Sequence, residues 1–324
     1  MSDLSKIKRP IESELKEFRT FFKSLLKTDT KLLNIVINYI LRQKGKQLRP
    51  ILVILTAKLF GKINKSTYVG ATMIELMHTA TLIHDDVVDN ADKRRGMFSI
   101  NALWKNKIAV LMGDYLLSQG LLISIENDEF NFLREISRTV KQMSEGELLQ
   151  IEKSRKLDIN EDIYYEIIKK KTAVLLSACT VLGAKSVNAT NEQVEKVREL
   201  GENLGMAFQI KDDLFDLQKI NNTGKPSGND LQEKKITLPL IYSLQNSTEK
   251  QKKQILKIIG KSKKNKQNIE QIISFISEKK GIEYATKVMN DYTEKSLEII
   301  NQFPKSETKQ AFILLINYIT SRRK

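Results

Sequence analysis

The sequence predicts an all-α fold, a single large helical bundle in which residues 1–324 form one domain. Three observations carry this. The five prolines stand at 10, 50, 226, 239 and 304, so the interval from Ile51 to Lys225 holds none, and no Gly/Ser-rich linker divides it. Apolar residues recur at steps of three and four along most of the chain, which is the period of a helix face. With 41% hydrophobic residues there is ample material for a core, and no run approaches the length needed to cross a bilayer.

Taken in order, Ile11, Leu15, Phe18, Phe22, Leu25 and Leu26 share a helix face, and Lys31 to Leu41 repeats the pattern. Lys44-Gly45-Lys46-Gln47-Leu48-Arg49-Pro50 interrupts it with a glycine and with a proline suited to a helix start. A helix from Ile51 to Phe60 closes at Gly61, and the next begins near Ser66-Thr67, a capping pair. After a turn at Gly96, Ile100–Ile125 and Phe130–Glu152 are helical; Gln150 is either a site residue or a plain polar helix position. Lys171-Thr172 opens an apolar helix, Ala173 to Leu182, that stops at Gly183. A lysine at a helix start opposes the macrodipole unless an anion sits there. Asn221 to Gly228 is the one clear flexible loop near the candidate site, suited to closing over a ligand. Beyond Pro239, five further helical patterns from Ile241 to Tyr318 carry no apparent chemistry.

The net charge of +15 invites a nucleic-acid or membrane-surface reading. Lysine, however, is spread over most exposed positions, and no aromatic residues interleave a basic stripe, so nucleic acid is not expected as a partner. The eight lysines between 250 and 266 form a solvated face first and a weak attraction to anionic lipid second. The amino-terminal segment lacks the apolar core of a secretory signal, and the single Cys179 has no second cysteine to bridge, which together predict a cytoplasmic protein.

The chemistry concentrates in Met73 to Asp89, an apolar helix ending in three carboxylates. Asp85 and Asp89 share one face, with Asp86 about 100° away on its flank. Three acids so close repel one another and ask for a cation, and oxygen ligands without cysteine suit Mg²⁺ rather than zinc. The same Asp-Asp-x-x-Asp spacing returns at Asp212, Asp213 and Asp216. Gly201, Gly205, Gln209, Asp212 or Asp213, and Asp216 form one stripe there, and its glycines admit a neighbouring backbone or ligand. One such triplet occurs by chance on solvated helices; two at identical spacing on apolar helices do not. His78, two turns before Asp85, lies on the carboxylate face.

The ordered set Gly45-Lys46-Gln47-Leu48-Arg49-Pro50, His78, Asp85-Asp86-Val87-Val88-Asp89, Arg94-Arg95-Gly96, Gly113-Asp114, Lys171-Thr172, Phe208-Gln209-Ile210-Lys211-Asp212-Asp213-Leu214-Phe215-Asp216, Gly224-Lys225, Asp230-Leu231 and Lys235-Ile236-Thr237-Leu238-Pro239 resembles the trans-type polyprenyl diphosphate synthases. The resemblance runs from about Gly45 to Pro239. It implies an isoprenoid synthase-like bundle around a central apolar cavity, Mg²⁺ dependence, a homodimer, and condensation of isopentenyl diphosphate with an allylic diphosphate. It assigns Lys46, Arg49, His78 and Arg95 to isopentenyl diphosphate, and Arg94, Lys171, Thr172, Gln209, Lys225 and Lys235 to the allylic diphosphate. Lys44, Gln47 and Lys234 depart from the family pattern without removing a charge assigned to the site.

In the family, bulky aromatic residues just upstream of the first triplet stop the growing chain. Here Thr81, Ala80 and Met77 occupy that face, which predicts a long-chain product such as a quinone tail; a short-chain farnesyl or geranylgeranyl synthase is the alternative. From Thr67 to Asp85 the helix offers roughly 27 Å of wall, and Phe132 and Met143 are candidate floors on other helices. A terpene cyclase would not need Lys46, Arg49 and Arg95, and a basic scaffold protein leaves both triplets unexplained. Complete triplets also argue against a non-catalytic partner subunit.

Overall fold

Caps and breakers set the boundaries of the first helices in the computed structural model, which describes residues 3–43, 45–94, 96–223, 229–232, 234–261 and 265–321. A short α1 (Asp3–Lys8) passes through one 3₁₀ turn containing Pro10 into α2 (Glu12–Leu25), followed by α3 (Lys31–Arg42) and α4 (Leu48–Phe60). Pro50 lies in the first turn of α4, where its missing N–H costs nothing. α5 (Lys65–Val88) starts at Asn64, whose side chain accepts from Thr67 N–H while the Thr67 hydroxyl answers the Asn64 backbone. The cap is therefore Asn64, two to three residues before the pair expected from the sequence. α5 carries few charges before its end, and buried side chains face all round it, as in a core helix.

Beyond α5 the chain makes a hairpin of two-residue strands, β1 (Lys93–Arg94) and β2 (Met97–Phe98), turning at Gly96 with φ +79°. Then come α6 (Ile100–Glu126), broken at Lys105 (φ 68°, ψ 168°), and α7 (Phe130–Lys156). α8 (Glu161–Ile168) runs through a π-helical turn, Lys169–Ala173, into α9 (Val174–Ser186). The expectation that Lys171-Thr172 opens a helix stopping at Gly183 is corrected here. Lys171 lies inside a continuous helical run, and the macrodipole argument does not apply to it. α10 (Asn191–Thr223), α11 (Asn229–Gln232), α12 (Leu238–Gln245), α13 (Glu249–Ile259), α14 (Lys266–Glu278), α15 (Gly281–Asn301) and α16 (Glu307–Ser321) complete the all-α chain. The predicted flexible loop falls partly in α10, and its remainder, residues 224–228, lies outside the described residues.

The chain divides into two compact units, Met1–Arg138 with Ala178–Arg198 and Phe303–Leu314, and Thr139–Ser177 with Glu199–Gln302 and Leu315–Lys324. In the first, Val36 and Ile37 of α3, Leu76, Ala80 and Ile83 of α5, and Met112 and Leu116 of α6 form one apolar cluster. In the second, Ile210, Leu214, Leu240, Ile272 and Ile276 lead a larger one. Each fully buried Leu or Ile contributes about 1.5–3 kcal/mol.

One sequence reading changes at this level. α6 is long and apolar enough to cross a membrane by length and composition, contrary to expectation, and 33% of its most apolar window is buried. A core helix of a soluble protein passes the same test. Leu111, Leu121, Leu122 and Ile125 of α6 are exposed. Cys179 is buried, and burial pushes its thiol up to about 12, so it is an inert core residue rather than a nucleophile.

Candidate active site

The first triplet closes α5. Asp85 and Asp86 sit in its last turn, which holds no basic residue, and Asp89 caps it with its N–H on the Asp85 carbonyl. Carboxylates at the negative end of a helix dipole repel both it and each other, so this end is built to meet a cation. The middle acid is turned inward: Asp86 is 2% exposed, while Asp85 is half-buried and Asp89 exposed. Burial pushes the Asp86 carboxyl above its usual range although Arg94 opposes that by donating Nε–H to Oδ1 at 2.6 Å. Arg94 reaches it from β1.

A cavity of about 480 Å³ in this unit brings Asp86 and Arg94 together with Gly45 and Gln47 of the basic loop. Arg19 and Lys8, which the sequence reading passed over, line it as well. Arg19 donates to the Gln47 side chain at 3.0 Å, and burial followed by the charge of Arg19 lowers the Lys8 pKa. No sequence signal separates these two from the surrounding basic surface. Lys46 is exposed, Arg49 half-buried in the first turn of α4, and His78 is 8% exposed within α5. Of the residues assigned to chain length, Met77 and Ala80 are buried, and Ala80 belongs to the apolar cluster shared with α6. Thr81 is half-buried and donates its hydroxyl to the His78 carbonyl at 2.9 Å. Arg95 and Lys225 lie outside the described residues.

In the second unit, α7 and α10 press on the π-turn. A Cβ added to Gly205 of α10 would stand 2.4 Å from Ala173 Cα, and one on Gly146 of α7 2.9 Å from Lys171 N, so both contacts require glycine. A π-turn holds one residue more than an α-turn and is frequent at functional sites. Here it carries Lys171 and Thr172. Lys171 Nζ lies 2.5 Å from Glu147 Oε2 and 2.8 Å from Gln150 Oε1, which makes Gln150 a neighbour of the site. The Thr172 hydroxyl donates to Gln209 Oε1 at 2.7 Å, and Gln209 Nε2 donates to Asp213 Oδ1 at 2.8 Å. Tyr164, absent from the sequence reading, donates its hydroxyl to Asp213 Oδ2 at 2.7 Å.

Asp213 is thus the inward member of its triplet at 5% exposure, and Asp212 and Asp216 are half-buried. A cavity of about 80 Å³ collects Lys171, Thr172, Gln209 and Lys235, four residues that the resemblance assigned to the allylic diphosphate, with Asp213 of the second acidic triplet.

Among the described residues no three His, Cys, Asp or Glu side chains converge as a ready-made metal cluster. That does not disqualify Mg²⁺, which is commonly bound through one or two carboxylates with substrate phosphate oxygens and water supplying the rest. Asp85 with Asp89, and Asp212 with Asp216, give two such carboxylate pairs. The donor set is all oxygen, and it fits.

The chain is similar to known proteins along most of its length. The polyprenyl synthetase family model matches residues 30–276. The all-trans-nonaprenyl-diphosphate synthase (geranyl-diphosphate specific) of Rhodobacter capsulatus is 33% identical over 315 residues, covering 97% of this chain and 96% of that protein. Heptaprenyl diphosphate synthase component 2 of Bacillus subtilis is 34% identical over 301 residues, covering 92% of this chain and 85% of that protein. The crystal structure of geranylgeranyl pyrophosphate synthase from Bacteroides thetaiotaomicron matches with a TM-score of 0.85 at 35% identity, covering 99% of this chain and 100% of that one. By motif, fold and similarity along nearly its whole length, the chain belongs to the polyprenyl synthetase family.

Proposed function

We propose that this prenyltransferase, working as one catalytic domain, condenses isopentenyl diphosphate with an allylic prenyl diphosphate, head to tail, to give a long-chain all-trans polyprenyl diphosphate. The observation that carries the reading is the gathering of Lys171, Thr172, Gln209, Asp213 and Lys235 around one small cavity, beside a complete acidic triplet.

Lys171, Thr172, Gln209, Lys235, Arg94 and Lys225 hold the allylic diphosphate, and fixed cations stabilise the charge that grows on it as the carbon–oxygen bond breaks. Lys46, Arg49, His78 and Arg95 hold isopentenyl diphosphate so that its double bond meets the allylic carbon. Both acidic triplets serve the metal, with Asp86 and Asp213 acting from the buried side. Mg²⁺, when bound, neutralises the leaving diphosphate. Arg94 reaches the diphosphate by exchanging its Asp86 partner for it. Apolar walls exclude water, which would otherwise quench the allylic cation. No protein nucleophile is needed.

Thr81, Ala80 and Met77 leave the helix upstream of Asp85 without an aromatic stop, and this supports the long product. The similarity to a geranylgeranyl synthase keeps a short-chain product as the second reading. The exposed Leu111, Leu121, Leu122 and Ile125 of α6 support a homodimer, since monomers rarely leave contiguous apolar surface uncovered. Light scattering checks the assembly. The enzyme is placed in the cytoplasm, with at most weak attachment to anionic lipid.

Chromatography of products made from labelled isopentenyl diphosphate and each allylic starter tests the function. Polyprenyl products beyond geranylgeranyl are expected. A stop at farnesyl or geranylgeranyl overturns the length, and absence of any elongation overturns the activity.

A further inference from the structure

We propose that Tyr164 is a positioning residue of this reaction, locking Asp213 so that the Gln209 amide and the Thr172 hydroxyl are held in one orientation beside Lys171. The proposal rests on the function inferred above.

An ionised carboxylate only accepts hydrogen bonds. With Asp213 Oδ2 taken by the Tyr164 hydroxyl, Oδ1 faces Gln209, which must present its NH₂ there. The Gln209 carbonyl oxygen is then left to accept from Thr172 Oγ1. Every proton along Tyr164, Asp213, Gln209 and Thr172 acquires one direction. Without Tyr164 the carboxylate could rotate, and an amide flip would reverse the chain at little cost.

The phenol does this from a rigid base. Tyr164 is 4% exposed within the apolar cluster of its unit, its ring lies edge-on to Tyr165 at 5.6 Å, and its backbone N–H closes on Asn160, whose side chain caps α8. α8 continues directly into the π-turn, so the residue that sets Asp213 and the residues that meet the diphosphate share one helical rod. Buried polar chains of this kind hold their geometry only when each member is satisfied.

The adjacent Tyr165 supplies a matched control. Its hydroxyl also donates to a carboxylate, Glu161 Oε1 at 2.8 Å, an atom shared with Tyr284, and none of these three residues lines the cavity that holds Lys171 and Asp213. Tyr164→Phe and Tyr165→Phe each delete one hydroxyl and keep the ring.

The test compares the two variants in steady-state kinetics and in calorimetric binding of inorganic pyrophosphate with Mg²⁺. Tyr164→Phe is expected to lower kcat and to weaken pyrophosphate binding by roughly 10–100-fold, the usual cost of losing a partner that orients a metal or phosphate ligand. KM for isopentenyl diphosphate should stay within about twofold of wild type. Tyr165→Phe should keep both quantities while losing comparable thermal stability. Fluorotyrosine at position 164 should restore pyrophosphate binding. Wild-type kcat and binding in Tyr164→Phe, or equal losses in the two variants, overturns the proposal. A wild-type enzyme that elongates nothing defeats the assigned function instead, and the pyrophosphate measurement still reads the clamp.

Discussion

The described buried carboxylates are answered differently in the two units. In the first, Asp86 meets Arg94, and Glu135 takes two hydrogen bonds from Arg198 at 2.6 and 3.2 Å, with Lys185 at 3.3 Å. In the second, Asp213 meets a phenol and an amide. An arginine can be drawn away by a competing anion such as a diphosphate. Neutral donors are not drawn away in this manner, so the phenol and the amide keep the Asp213 carboxylate oriented while the Asp86–Arg94 pair can open to a ligand.

The largest effects should come from acids in both units. Asp85→Ala and Asp212→Ala are each expected to cut product formation at least ~10³-fold with unchanged helicity by circular dichroism. A wild-type rate in either would leave one triplet without a role in the reaction.

Next comes the charge pairing itself. Burial pushes the Glu135 carboxyl up, but Arg198 and Lys185 outweigh it and hold the group below the usual carboxylate range. A depressed carboxylate lends stability above its unfolded pKa and loses it as pH falls through the folded value. Glu135→Gln should therefore cost roughly 3 kcal/mol at pH 7, and the gap to wild type should close as pH drops through and below the usual carboxylate range. Urea midpoints across that range check it. A gap that stays constant would mean that packing, rather than charge, holds this unit.

Smaller effects separate the units by contact type. Gly205→Ala drives a methyl into the Ala173 backbone and is expected to destabilise by about 1–3 kcal/mol. Gly120→Ala on α6 meets nothing within 4 Å and should raise stability by up to about 1 kcal/mol. Thermal melts of both variants give the signs.

Much of the fold was readable from periodicity because most helices carry one apolar face, and both triplets were readable because their spacing repeats. The hydroxyl of Tyr164 was not. A tyrosine in an apolar helix reads as core, and its partner lies 49 residues away. The π-turn left no mark either, since Lys169-Lys170-Lys171 offers no apolar pattern whose phase could slip. The long apolar stretch of α6 escaped notice because Gly113, Asp114 and Gln119 punctuate it without lowering its mean hydropathy below 1.6. Arg19 and Lys8 could be found only once α2 had been laid against the Gln47 loop.

The extra residue in the Lys169–Ala173 turn has a consequence for how this gene can change. Losing a single codon there would restore ordinary winding and swing everything after it by about 100° relative to α8. Thr172 would then leave Gln209 although every amino acid involved was still encoded. Point changes at this turn should be survivable more often than any shift of frame-preserving length, so natural relatives ought to vary in letters here and not in number.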